Sequence, residues 1–405
     1  MERNLLQGLK KMPDKKCNIL SSHLAQIDTL GYVYPCCKFE YLAEDIRKDS
    51  WLDYKVQNLN SLDGILVSDK WKDFRQRMLK EDIAECSHCW RQENSKITSL
   101  RTESNKTKIK QKNTIQSLEI ALDTTCNMMC RICKPSQSSK WASADRVLKE
   151  LTKIDSRRYD KSTVDMSTKD HLQRVIFNSN LKNLRLIKIN GGEPFYSKNL
   201  VPLLDKIEKD AGIKNVQLEF NTNGSIFPNK EILDMLSMAK KIKIEFSIDA
   251  TDKLAEVIRY GESWKTIQTT IRKWLAYFSD ATFTIHTTIS LLNLNHLNNL
   301  IHFTNNLNLN WTYDFLTGPD YLSVYQLPKR YREHLFNVTD QKYKTLLYNE
   351  LITPQKIPSK FNNFLKSCEI LDGYHGNSFK EVNSEIYNLV KKINKPYVLF
   401  KKIKR

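Results

Sequence analysis

Six short stretches of the chain alternate apolar and polar residues: Ser117–Asp123, Leu184–Asn190, Asn215–Phe220, Ile242–Ile248, Thr282–Ile289 and Asn310–Leu316. A period of two puts one face of each stretch against a core and predicts β-strands. Between them apolar residues return every three to four positions, as in Leu200–Ile207, Ile232–Met238 and Trp264–Phe278, which predicts helices. Strands and helices in alternation indicate an α/β chain with a parallel sheet, as in a βα barrel. In such a barrel the ligand-binding groups collect at the carboxyl ends of the strands. Residues 150–170 are polar and read as a loop. Residues 329–405 are aromatic and helical in pattern, with no motif that assigns them a role.

The chemistry sits where the strand patterns end. Cys126, Cys130 and Cys133 follow the first strand on one short loop, at spacing C-x3-C-x2-C. Three thiolates can hold three irons of a 4Fe–4S cube and leave the fourth iron without a protein ligand. A zinc site normally wants four Cys or His ligands in paired spacings, and no fourth cysteine follows nearby. After the second strand comes Asn190-Gly191-Gly192-Glu193-Pro194. Glycines at a strand end let backbone approach a ligand closely, although a lone segment of this kind also suits a tight turn.

Together, and in this order, the two motifs resemble those of the radical S-adenosylmethionine (SAM) superfamily. Cys126-Asn-Met-Met-Cys130-Arg-Ile-Cys133 is similar to its C-x3-C-x-φ-C signature, with Ile132 at the apolar position. The resemblance covers roughly residues 15–330 and implies a partial (β/α)6 barrel. It implies that Cys126, Cys130 and Cys133 hold a SAM-binding 4Fe–4S cluster, and that Gly191, Gly192, Glu193 and Pro194 hold the amino group of SAM. Ile132 would contact the adenine. Ser247 and Asp249 would hold the ribose, with Asn221 and Asn223 similarly placed at a strand end. Arg259 would pair the carboxylate. For each of these polar residues a cap or turn role is the plain alternative. The implied activity is reductive cleavage of SAM to a 5′-deoxyadenosyl radical that takes hydrogen from a substrate. The electron would come from a reductant such as a flavodoxin or ferredoxin.

Four more cysteines precede the barrel. Cys17 is followed by thirteen residues, Gly31, four residues and Cys36, and Cys86 and Cys89 form Cys-Ser-His-Cys. By spacing alone, four thiolates in two pairs suit zinc better than a fully ligated 4Fe–4S cluster. Resemblance reverses that preference. The C-x9–15-G-x4-C opening is similar to the SPASM and twitch auxiliary-cluster domains that accompany many radical SAM enzymes, placed here at the N-terminal side. It implies a second 4Fe–4S cluster on Cys17, Cys36, Cys86 and Cys89, an electron acceptor that favours net oxidation or radical bond formation. Cys37 is the alternative to Cys36. His88 reads as a solvated loop residue, and Cys368 as a buried apolar one.

The expected organisation is a twitch-like segment over 1–101, a linker over 102–115, the barrel over 116–328 and a helical extension over 329–405. Charge and composition add less. With 64 Lys and Arg against 46 Asp and Glu, the chain carries a formal +18. That excess tilts expectation weakly toward an anionic or carrier-bound substrate, although a Lys-rich solvated surface is the plainer account of it. Much of it lies in Ser104–Asn113 and in Lys391–Arg405, both of which read as flexible. Neither an apolar run long enough for a membrane span nor a signal-peptide core is evident, and free thiolates with clusters suit a reducing, cytoplasmic setting. A zinc-binding nucleic-acid protein without catalysis is the alternative function, and it leaves the glycine motif and the strand pattern unexplained.

Overall fold

All six alternating stretches become strands: β3 (Ser117–Ala121), β5 (Leu186–Asn190), β6 (Gln217–Thr222), β7 (Lys241–Ser247), β9 (Thr282–Ile289) and β10 (Asn310–Phe315). Four short ones accompany them: β1 (Leu24–Ile27), β2 (Val33–Tyr34), β4 (Met129–Cys130) and β8 (Arg259–Tyr260). The structure, a computed structural model, describes residues 17–19, 24–27, 31–36, 39, 56–80, 83–94, 98–106, 113–156, 159, 173–316, 318–352 and 357–403. Cys37 lies outside them, as does the side chain of His88.

The six strands form a parallel sheet in the order β10-β9-β7-β6-β5-β3, the open (β/α)6 barrel expected. Alternation shows in the burial. Ile242, Ile244 and Phe246 of β7 are buried toward the helices, while Lys243, Glu245 and Ser247 between them are half-buried on the other face. Helices Lys230–Ser237 and Trp264–Tyr277 start where Asn229 and Ser263 accept the N–H groups of Ile232 and Thr266. Trp274 of the second helix packs against Phe195, which in turn meets Phe220 of β6.

By contact the chain divides into two compact units. One comprises Met1–Ala121, Met166–Lys188 and Pro202–Gln217; the other comprises Leu122–Asp165, Ile189–Val201 and Leu218–Arg405. In the first unit, β1 pairs antiparallel with β2 and parallel with β3. Its core includes Tyr34, Phe39, Phe74, Met78 and Ile83. The second unit contains the helical extension: Lys329–Leu335, Gln341–Ile352, Phe361–His375, Phe379–Val382 and Ser384–Ile403.

The tail from Lys391 is helical as far as Ile403, and Ile386, Tyr387 and Val390 are buried at the start of that Ser384–Ile403 helix. The expected linker opens inside helix Leu100–Asn105, which Ser99 and Thr102 cap reciprocally. Residues 107–112 of that linker lie outside those described.

Candidate active site and metal centres

The loop after β3 is held from both ends. Asp123 is buried; one of its carboxylate oxygens accepts the Thr125 N–H at 2.6 Å, and the other accepts Ser197 Oγ and, at 2.9 Å, Asn199 Nδ2. Ser138 Oγ donates to the Met128 carbonyl at 2.6 Å, and Trp141 Nε1 to the Cys130 carbonyl at 3.3 Å. Cys126 and Cys130 are buried and Cys133 is half-buried. Burial pushes the Cys126 thiol up to about 11, with Cys133 adding to it. The Cys133 thiol, and then burial, hold Cys130 well above the ordinary thiol range. The three sulfurs therefore share one electrostatic neighbourhood. As free thiols Cys126 and Cys130 keep their protons near neutral pH, so a metal must displace them and loading strengthens as pH rises.

The glycine motif sits directly on this loop. Gly191 and Gly192 have φ of 82° and 47°. A Cβ on Gly192 would fall 2.2 Å from the Thr125 carbonyl oxygen, closer than any side chain can come. Glu193 N–H donates to that same oxygen at 2.8 Å. The Glu193 side chain is fully buried. It accepts Phe195 N–H at 3.2 Å, Thr222 Oγ at 2.8 Å and Asn223 N–H at 2.7 Å, tying the motif to the end of β6. Burial pushes its carboxyl up to about 7 against the pull of these donors. Asn223 Nδ2 donates to Asn127 Oδ1 at 2.9 Å, which links β6 to the cysteine loop. Asn221 and Ser247 stand half-buried on the inner faces of β6 and β7.

Arg259 also reaches the cysteines. It lies on β8, which pairs antiparallel with β4 so that Arg259 faces Cys130. Its guanidinium approaches Cys130 Sγ at 3.9 Å and donates through Nε to Asp249 Oδ2 at 2.7 Å. Burial alone would lower its pKa, but the adjacent Asp249 carboxylate raises it above the usual arginine value. Asp249 is itself buried, and its second oxygen accepts the Thr288 N–H at 2.8 Å. Both of its oxygens are thus engaged by protein, and it is positioned to orient Arg259. Gly261 was not anticipated. At φ 132°, a Cβ there would lie 2.9 Å from the Asn127 carbonyl oxygen and from Met128 Cα. An isolated Arg-Tyr-Gly gives no sequence signal of that approach.

In the first unit, Cys17, Cys36 and Cys86 pack on the aromatic cluster around Tyr34 and Phe74. Burial raises the Cys86 thiol, and Cys17 and Cys89 raise it further, so these sulfurs lie near one another. Gly31, with φ 86°, turns the chain between Cys17 and Cys36. Arg101 went unrecognised in the sequence. It is buried, paired with Glu93, set over the Trp90 ring at 4.7 Å, and acts electrostatically on Cys17 and Cys89. A cation there suits a group of thiolates.

Cysteine sulfurs are the soft donors that sulfur-bound metal centres use, while among the described residues no three His, Cys, Asp or Glu side chains stand together as a metal site. The radical SAM superfamily model matches residues 122–304, and the iron–sulfur cluster-binding SPASM model matches residues 17–90. Residues 122–304 are a radical SAM domain, with a SPASM-type iron–sulfur domain over residues 17–90. Domains of this superfamily work with a 4Fe–4S cluster and SAM, and the SPASM match adds an auxiliary cluster. Among curated proteins, GTP 3′,8-cyclase of Desulforamulus reducens is 27% identical over 159 residues, 38% of this chain and 42% of that protein. Molybdenum cofactor biosynthesis protein 1 of Dictyostelium discoideum is 26% identical over 144 residues, 35% of this chain and 19% of that protein. The chain thus spans less than half the length of these relatives. Among solved structures, Streptococcus suis SuiB bound to SAM is 14% identical with a TM-score of 0.33, over 77% of this chain and 58% of that one. The enzyme anSMEcpe with bound SAM is 14% identical with a TM-score of 0.35, over 65% and 62%. No helix among the described residues is long and apolar enough to cross a membrane.

Proposed function

We propose that this radical SAM enzyme binds its active cluster through Cys126, Cys130 and Cys133, and its co-substrate at the carboxyl ends of β5, β6 and β7. The observation that carries this reading is the contact of Gly192 and Glu193 with Thr125, which joins the glycine motif to the cysteine loop. Cluster and SAM together supply a 5′-deoxyadenosyl radical able to take hydrogen from an unactivated carbon. The chain's own part is positional. Gly191 and Gly192 leave room for the amino group of SAM, and Glu193 and Pro194 fix that backbone. Ile132 would contact the adenine, Ser247 and Asn221 would meet the ribose, and Arg259, oriented by Asp249, would pair the carboxylate. Cys17, Cys36, Cys86 and Cys89 would hold the auxiliary cluster, which suits net oxidation or radical bond formation. A flavodoxin or ferredoxin is the expected reductant, in a cytoplasmic setting.

The inner strand faces bear on the substrate. Glu245 stands opposite Thr284, Ser247 opposite His286, and Asp314 opposite Thr288. Lys243 lies 3.7 Å from Glu219, and His286 Nδ1 lies 3.0 Å from Thr312 Oγ. Carboxylates, hydroxyls, Lys243 and His286 share this face, which favours a polar substrate that hydrogen-bonds as both donor and acceptor. Anaerobic incubation with SAM and dithionite tests the activity. Release of methionine and 5′-deoxyadenosine is expected, and a colourless zinc protein that releases neither would favour the nucleic-acid-binding alternative.

A further inference from the structure

Arg131 lies between two of the three cysteines of the cluster loop, yet it points away into protein. Its side chain is 2% exposed. Its N–H donates to the Ile258 carbonyl at 2.8 Å and its Nε to the Val257 carbonyl at 2.8 Å. Its Nη2 donates to Asp372 Oδ1 at 2.5 Å and to Asn377 Oδ1 at 3.3 Å. Asp372 belongs to helix Phe361–His375 of the C-terminal extension, and its Oδ1 also accepts the Phe379 N–H at 3.0 Å. The same helix makes a second contact. His375 stacks on Tyr260 with ring centroids 3.8 Å apart and planes 6° from parallel. Tyr260 pairs with Met129 across β4 and β8, one residue from Arg259 and its approach to Cys130. One helix end, far away in sequence, therefore holds the cysteine loop directly at Arg131 and indirectly through Tyr260 of the strand paired with it.

We propose that Asp372, through Arg131, and His375, through Tyr260, are positioning residues for the active cluster, and that the Arg131–Asp372 charge balance sets how readily that cluster is reduced. This rests on the reading of Cys126, Cys130 and Cys133 as its ligands. The physical grounds are general. Charge and hydrogen bonding around the ligands tune an iron–sulfur potential. A buried cation that loses its carboxylate partner becomes an uncompensated positive charge beside the ligands, and that charge favours the reduced, more negative cluster. The extension, which carries no motif, acquires a role in holding the loop.

The test compares the wild type, Asp372→Asn and the double variant Arg131→Gln/Asp372→Asn. Each is reconstituted anaerobically, and the cluster is titrated by electron paramagnetic resonance. For Asp372→Asn the reduced-to-oxidised ratio at a fixed potential is expected to rise about tenfold, a shift of about 59 mV to more positive potential. The double variant is expected to return to within about threefold of the wild type. In cluster-free protein, hydrogen exchange at the Arg131 and Cys133 amides is expected to quicken in Asp372→Asn. An Asp372→Asn protein with full iron, an unchanged potential and unchanged loop exchange overturns the proposal. Should Asp372→Asn fail to hold iron, the double variant decides: recovery of iron supports the coupled pair, and no recovery overturns it. A wild type that takes up no cluster would instead overturn the ligand assignment, while exchange in the cluster-free protein still tests the grip itself.

Discussion

Replacing Gly192 by Ala tests the join between the two motifs. The new Cβ would stand 2.2 Å from the Thr125 carbonyl oxygen and 2.8 Å from its carbon, where real contacts below 3.0 Å essentially never occur. Thr125 cannot simply retreat, because its N–H is held by Asp123 at 2.6 Å and its oxygen by Glu193 N–H at 2.8 Å. A left-handed Ala costs about 1–2 kcal/mol, and losing one or both hydrogen bonds adds about 0.5–1.5 kcal/mol each. The total is about 1.5–5 kcal/mol, spent within one residue of Cys126. Even the lower figure, if it falls on the ligand-binding conformation, corresponds to about a twelvefold loss of SAM affinity. The assay is anaerobic SAM binding together with iron content and thermal midpoint. Gly64→Ala is the control: φ there is +84° with no atom within 4 Å of the new Cβ, so it carries strain without collision. A Gly192→Ala protein that keeps its iron and binds SAM within threefold of the wild type would refute the reasoning.

Other outcomes follow from the same geometry. Between pH 4.5 and about 7 the folded protein holds a proton on Glu193 that the unfolded chain has released. Cluster-free protein should therefore lose up to about 3 kcal/mol of stability as pH rises through that window. Glu193→Gln should flatten this slope in thermal melts, and an unchanged slope would show that the group does not titrate there. Arg259→Met leaves the Asp249 carboxylate buried without its cation, at a cost of about 3 kcal/mol; lowered melting temperature and lost SAM binding are expected, and wild-type binding would remove Arg259 from the site. Cys89→Ala should lose one cluster's worth of iron and all product formation while retaining uncoupled SAM cleavage, and full turnover by this variant would count against an auxiliary electron role.

The barrel was legible because β5, β6 and β7 bury one face more deeply than the other, so alternation survives there, whereas β3 is buried on both faces. Boundaries moved by a residue or two where polar ends such as Asn221 and Thr222 remain paired in β6. The cysteine and glycine motifs were legible because local spacing carries them. Contacts made by chain-distant partners were not. Gly261 touches the cysteine loop through a two-residue strand, too short to leave a period. Arg101 and Glu93 form a buried pair from two helices whose sequences look solvated. Asp372 meets Arg131 across 241 positions, and nothing in either neighbourhood announces it. Asp249 stands at the strand end as expected, yet its carboxylate is taken up by Arg259 and Thr288, which only coordinates reveal.

Anaerobically reconstituted protein, titrated with SAM and followed by electron paramagnetic resonance of the reduced cluster, probes the open iron most directly. A changed signal on SAM addition, lost when Cys126, Cys130 or Cys133 is replaced by Ala, is the expected result. A signal indifferent to SAM, or a metal other than iron bound at that loop, would contradict the account.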